Sequence, residues 1–187
     1  IGQIIPIDPD YINLIKVFWS RLITVFLFLG SIILVYKITE RFFGIFAARC
    51  VALVFATSAG LIAFSHFLTT DIPVTFWMLL AFYFAQNIFF GGSNRDYILA
   101  GLLTGIAAAT KYNGLAIGIA IVVAHVFSQR HFSWPKLIFS RPLYLGLAAV
   151  PLGFIAGNPF AILDYPTFIS HFMYNYIVTA VYVGSTG

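Results

Sequence analysis

Residues 97–127 read YILAGLLTGIAAATKYNGLAIGIAIVVAHVF, and Lys111 is the only Asp, Glu, Lys or Arg among them. A lysine at membrane depth costs roughly 2.5–3.5 kcal/mol on insertion scales, so it needs a partner or a water-filled cavity. If the stretch crosses a bilayer once, the basic loop 130–141 falls on the side opposite Lys37, Arg41 and Arg95. If instead it turns back at KYNG, then Lys37, Arg41, Arg95, Arg130, Lys136 and Arg141 all share one side. The positive-inside rule selects the hairpin. Its opposite face then collects Asp8, Asp10, Asp71, Lys111 and Asp164, which are four of the six acidic residues plus the lone lysine. Asn113-Gly114 is also a turn-forming dipeptide. The first arm, 97–110, spans only about 21 Å at 1.5 Å per residue. That is short of a hydrocarbon core about 30 Å thick. Lys111 is therefore expected to lie recessed below the outer surface, lining an outward-facing cavity. Gly101, Gly105, Gly114 and Gly118 are expected to let the two arms pack closely.

Composition agrees with a chain whose solvent is lipid. Hydrophobic residues make up 61% and charged residues 9%, against about 25% charged in a typical soluble domain, and the mean hydropathy is +0.97. The net charge of +4 fits basic cytoplasmic loops and gives no reason to invoke nucleic acid. Cys50 is the single cysteine and cannot form an internal disulfide. The chain begins at Ile1, not Met, and ends in GSTG, so it reads as an internal fragment of a larger membrane protein.

The expected architecture is all-α: one membrane-embedded domain over 1–187, a polytopic transmembrane helix bundle. About six spans are expected, near 17–38, 42–68, 72–90, 97–110, 113–128 and 142–163, the last loosened by Pro151, Gly153 and Gly157. Ser93 and Asp96 have capping-box spacing before the fourth span. The outer turns are SHFLTTDIP, TKYNG and GNPFAILDYP, and the aromatic-rich stretch 166–183 suits an interfacial helix.

These outer turns carry the candidate chemistry. Asp71 follows His66 and precedes Pro73, an arrangement that also reads as a helix N-cap with proline in the first turn. His66 reads equally as a polar residue at the interface. A recessed Lys111 ammonium suits a phosphate or carboxylate partner, with Asp71 a candidate, although snorkelling to headgroups is the plainer alternative. Arg21, one turn inside the first span, either snorkels or grips an anionic headgroup. Asn158 and Asp164 bracket a turn rich in Pro and Asx residues. No nucleophile triad, zinc spacing, P-loop or dinucleotide fingerprint is present. No cofactor is therefore assigned, and a divalent metal is left open.

The order SHFLTTDIP, then ATKYNG, then GNPFAILDYPTF, over about 15–168, resembles the polyprenyl-phosphate-dependent glycosyltransferases. That superfamily includes the protein O-mannosyltransferases and the aminoarabinose transferases acting on lipid A, and it has a GT-C membrane fold. The resemblance implies an inverting transfer of a sugar from a polyprenyl-phosphate donor to a glycan, lipid or protein acceptor. The enzyme would be a multi-pass protein of a plasma or endoplasmic reticulum membrane, acting on the non-cytoplasmic face. By this analogy Lys111 and Arg21 bind the donor phosphate. His66, Asp71, Tyr112, Asn158 and Asp164 line the sugar or acceptor pocket. The resemblance also implies a principal catalytic Asp on the first outer loop, often paired with Glu, and this chain has no Asp-Glu pair. That residue is expected upstream of Ile1, so Asp8 and Asp10 are not given the role and the fragment alone is expected to be inactive. The competing readings are a secondary transporter fragment with an outward-facing polar cavity and a non-catalytic lipid-binding scaffold.

Overall fold

The computed structural model describes residues 9–66, 69–128 and 140–184, and its regular elements are all helices. In chain order these are α1 (Pro9–Ala56), α2 (Ala59–His66), α3 (Asp71–Phe89), α4 (Asn94–Thr110), a 3-10 turn (Tyr112–Ile117), α5 (Gly118–Ser128), α6 (Arg141–Gly157), α7 (Phe160–Leu163) and α8 (Tyr165–Gly184). The all-α expectation holds. Two stretches are long and apolar enough to cross a membrane, Leu14–Ala56 and Asp71–Phe89, while Tyr112–Ser128 and Arg141–Gly157 are apolar but shorter. A count of about six spans goes beyond what helix length supports. Asp8 and the basic-loop residues Arg130 and Lys136 lie outside the described residues.

α1 is not one rod. At Gly44 the backbone takes φ 83°, ψ 173°, a conformation essentially closed to residues with a Cβ. The chain doubles back there, because the rings of Phe28 and Phe55 stack with centroids 6.0 Å apart. A straight helix would separate those residues by about 40 Å. The reversal thus falls inside the segment 42–68, and that segment breaks again at Thr57 and Ser58 before α2. The outer flanks of this hairpin are bare hydrocarbon: Phe43, Phe46, Leu53 and Val54 are exposed, Phe46 to 82%. Such a surface suits lipid rather than water.

The first half of α1 and α3 run parallel. Gly30 faces the ring of Phe76, and two turns on Gln86 Nε2 donates to the Ile38 carbonyl at 2.9 Å. A polar clasp closes this end of the bundle. The Arg41 guanidinium donates to the Asn87 side-chain oxygen and sits 4.5 Å over the Phe90 ring. Asn87 Nδ2 in turn donates to Asp96 Oδ1 at 3.0 Å. Asp96 Oδ2 accepts the Ser93 N–H at 2.7 Å and the Ser93 hydroxyl at 2.9 Å, which supplies an acceptor for a backbone donor at the start of α4.

The chain turns back again between α4 and α5. The Tyr97 hydroxyl, on the first turns of α4, lies 2.6 Å from His125 Nδ1 near the end of α5. His125 Nε2 lies 3.1 Å from the Ser140 hydroxyl just before α6. His125 is 1% exposed, and each of its ring nitrogens has a hydroxyl within hydrogen-bond distance. Around it Ala85, Ile88, Ala100, Ile121 and Ala124 form the buried core. The small side chains let helix backbones approach closely.

The closest approach is between α4 and α6, which run parallel. A Cβ on Gly101 would collide with the carbonyl of Gly146, one on Gly105 with that of Val150, and one on Gly153 with that of Leu102. Gly157 packs against Ala109 at the far end. Gly101 and Gly105 therefore serve the contact with α6 rather than the hairpin arm α5. Gly114 and Gly118 do face α4, against Ala107 and Thr104.

Candidate functional site

The reversal after α4 positions Lys111. The helix ends at Thr110, and Lys111 follows in extended backbone at φ −156°, ψ 129°. Its N–H still donates to the Ala107 carbonyl at 2.9 Å, and its carbonyl accepts the Gly114 N–H at 2.8 Å. Gly114 packs on the backbone of Ala107 so closely that a side chain there would collide. The tight 3-10 turn leaves Lys111 at the tip of the hairpin with its side chain free to leave the bundle axis.

That side chain meets Asp71: Nζ to Oδ1 is 2.7 Å. Asp71 is the first residue of α3, and Thr70, rather than Asp71, occupies the N-cap without a side-chain hydrogen bond. A carboxylate in the first turn is favoured by the helix dipole. Its backbone carbonyl accepts the Thr75 hydroxyl at 2.7 Å, which steadies the turn. The two charged side chains are 44% and 42% exposed. At that exposure the pair contributes about 0–1 kcal/mol at most. It is the ion pair that stands among the described residues, and it is not saturated. An ammonium has three donors and a carboxylate about four acceptor positions, so both can take further partners. Two residues before Asp71, the Thr69 hydroxyl is buried with no hydrogen-bond partner among the described residues.

Tyr112, next to Lys111, points another way. Its ring meets Phe172 of α8 edge-on at 5.2 Å. With Leu115, Val150, Phe154, Phe168 and Ile169 it lines an apolar cavity of about 700 Å³ between the turn, α6 and α8. Asn158 and Asp164 belong to a second, smaller cavity of about 250 Å³, which they share with Phe160, Thr167, Phe168 and His171. Phe168 walls both. The residues expected to form one sugar or acceptor pocket are thus divided: Asp71 with Lys111, Tyr112 in the apolar cavity, Asn158 and Asp164 in the polar one.

Arg21 is exposed on α1, two helical turns before Phe28. The parallel register of α1 and α3, carried back from Gly30 and Phe76, sets Arg21 about one helical turn beyond the start of α3, toward the same end of the bundle. It shares the end of the bundle with Asp71, but it makes no ion pair with the Lys111 group among the described residues. His66 closes α2, and its side chain lies outside the described residues, as does that of Asp10. No three His, Cys, Asp or Glu side chains converge among the described residues.

Thr167 and His171 were not singled out by the sequence reading. A signal existed: Asp164, Thr167 and His171 follow one another at i, i+3 and i+7, a spacing that stacks them on one helix face.

No curated protein and no solved structure matches the chain. The family model for dolichyl-phosphate-mannose-protein mannosyltransferases matches residues 15–156, three quarters of the chain and every helix from the first turns of α1 almost to the end of α6. With its all-helical bundle, its lipid-suited surface and a lysine held at a hairpin tip, the chain belongs to the dolichyl-phosphate-mannose-protein mannosyltransferase family, membrane glycosyltransferases of the GT-C type.

Proposed function

We propose that this chain forms the donor-binding part of an inverting glycosyltransferase, which moves a sugar from a polyprenyl-phosphate donor to an acceptor on the non-cytoplasmic face of a membrane it crosses several times. The observation that carries this reading is the Lys111–Asp71 pair, 2.7 Å apart and half exposed, at a turn whose next residue lines a large apolar cavity. The donor is an amphiphile with an anionic phosphate and an isoprenoid stem. An ammonium with unused donors serves the phosphate, and a cavity walled by Leu115, Phe154 and Phe168 serves the apolar stem. Arg21, at the same end of the bundle, adds a second cation to this face. His66 joins Asp71 on the sugar or acceptor side.

In the reaction an acceptor hydroxyl attacks the anomeric carbon and a glycosidic C–O bond forms. The C–O bond to phosphate breaks, and polyprenyl phosphate leaves with the bonding electrons. A base takes the hydroxyl proton. Negative charge grows on the departing phosphate, and a fixed cation stabilises that charge more in the transition state than in the ground state. Lys111 fills that role. An arriving phosphate competes with Asp71 for the ammonium and loosens the carboxylate, leaving it free to accept a hydrogen bond from a sugar or acceptor hydroxyl. The base that takes the proton is not assigned to a residue of this chain.

The test is transfer by the full-length protein carrying Lys111→Ala, with donor a polyprenyl-phosphate mannose. Loss of transfer with normal membrane insertion is expected, and undiminished transfer would refute the role.

A further inference from the structure

We propose that the small cavity between the end of α6 and the start of α8 is a pyranose-binding pocket, read by Asn158, Asp164, Thr167 and His171. This rests on the donor reading above and divides its sugar side from the phosphate side.

The pocket measures about 250 Å³ and is built at a break in the helices. Asn158 ends α6, with its N–H bonded to the Phe154 carbonyl at 2.8 Å, and Asp164 separates α7 from α8. Asp164 Oδ1 accepts the Thr167 N–H at a long 3.4 Å, so most of the carboxylate's acceptor capacity is unused. The side chains of Asn158 and His171 have no partner among the described residues. The four polar groups together offer a carboxylate acceptor, an amide that both donates and accepts, a hydroxyl and an imidazole.

That mixture selects its ligand class. Sugar hydroxyls each donate and accept, and they need neighbours that do both. A phosphate needs fixed cations, and the pocket holds no Lys or Arg. A metal ion needs more than the two side chains, Asp164 and His171, that ligate well here. A lipid tail leaves every polar group unsatisfied. Phe160 and Phe168 supply flat walls on which the C–H face of a pyranose can lie. Phe168 also bounds the larger apolar cavity, so a ligand with a sugar head and an isoprenoid stem can reach both sides of one ring.

The experiment uses the full-length protein in lipid nanodiscs and two probes, polyprenyl phosphate and polyprenyl-phosphate mannose. Asp164→Asn, Thr167→Val and His171→Ala should each weaken binding of the mannose-bearing probe about tenfold, the loss of one good hydrogen bond. Binding of the bare phosphate should stay at the wild-type value, which also reports intact folding. A tenfold rise in KM for a mannosylated acceptor with donor binding unchanged also upholds the pocket, with the acceptor as source of the ring. Equal weakening of both probes, or wild-type binding and KM throughout, overturns it. A wild-type protein that binds neither probe overturns the donor reading itself.

Discussion

Lys111 and Asp71 stand forty residues apart in the chain and 2.7 Å apart in space, joining the tip of one helical hairpin to the first residue of α3. The contact explains how an ammonium is accommodated in so apolar a chain: the charge is countered, yet 44% of its side chain remains open. A pair of this exposure is a poor staple. In the proposed function its value lies in holding two opposite charges where an incoming anion can displace one of them.

Stability and activity should therefore separate at this pair. Asp71→Asn, Lys111→Met and the double variant, compared by thermal unfolding in detergent, should give a coupling energy of no more than about 1 kcal/mol. Sugar transfer by Lys111→Met should fall by orders of magnitude in the same preparations. A coupling of several kcal/mol would make the pair a structural staple, and the phosphate role would lose its motive.

The parallel contact of α4 with α6 should be intolerant of any side chain. Gly101→Val drives methyl groups into the Gly146 carbonyl, and no rotamer change can relieve a clash with backbone. A cost of about 1–3 kcal/mol or more is expected, read as a lower unfolding temperature and a smaller monodisperse fraction. Gly60→Ala is the control, since a Cβ there meets open space and a helical alanine is favoured over glycine by about 1 kcal/mol. Equal behaviour of the two variants would remove the close approach as an explanation for these glycines.

The buried chain Tyr97–His125–Ser140 should matter for folding without touching transfer. Tyr97→Phe removes the 2.6 Å contact between the Tyr97 hydroxyl and His125 Nδ1, and the loss of one intramolecular hydrogen bond costs about 0.5–1.5 kcal/mol. The variant should unfold at lower temperature while its transfer rate, measured below that temperature, matches wild type. A selective loss of rate with unchanged stability would contradict a purely structural role.

The sequence made some of this visible and hid the rest for physical reasons. The reversal at KYNG was legible because a lysine and an Asn-Gly pair interrupt an otherwise apolar run, and the Ser93–Asp96 cap because its spacing is local. Gly101 and Gly105 announced close packing but not its partner. An i, i+4 pair marks a face, and only the fold says that the face meets α6. The break at Gly44 was misplaced by a few residues, since RFFGIF is apolar on both sides of the glycine and nothing polar marks the turn. The grouping of His171 with Asp164 escaped notice because the two stand in different segments, an outer turn and an aromatic helix, until the fold joins them around one cavity.

The sidedness of the hairpin is open to direct chemical test. If Lys37, Arg41, Arg95 and Arg141 share one side, the positive-inside rule predicts that this side is cytoplasmic and that the Lys111 turn lies on the other. In a Cys50→Ser background, a cysteine at Asn113 should react with an impermeant thiol reagent added to intact cells. A cysteine at Ser133 should react only after the membrane is opened. Labelling of Ser133→Cys from outside would invert or abolish the hairpin topology. Lys111 would then face the cytoplasm or the middle of the bilayer, and a phosphate delivered at the outer face would be out of its reach.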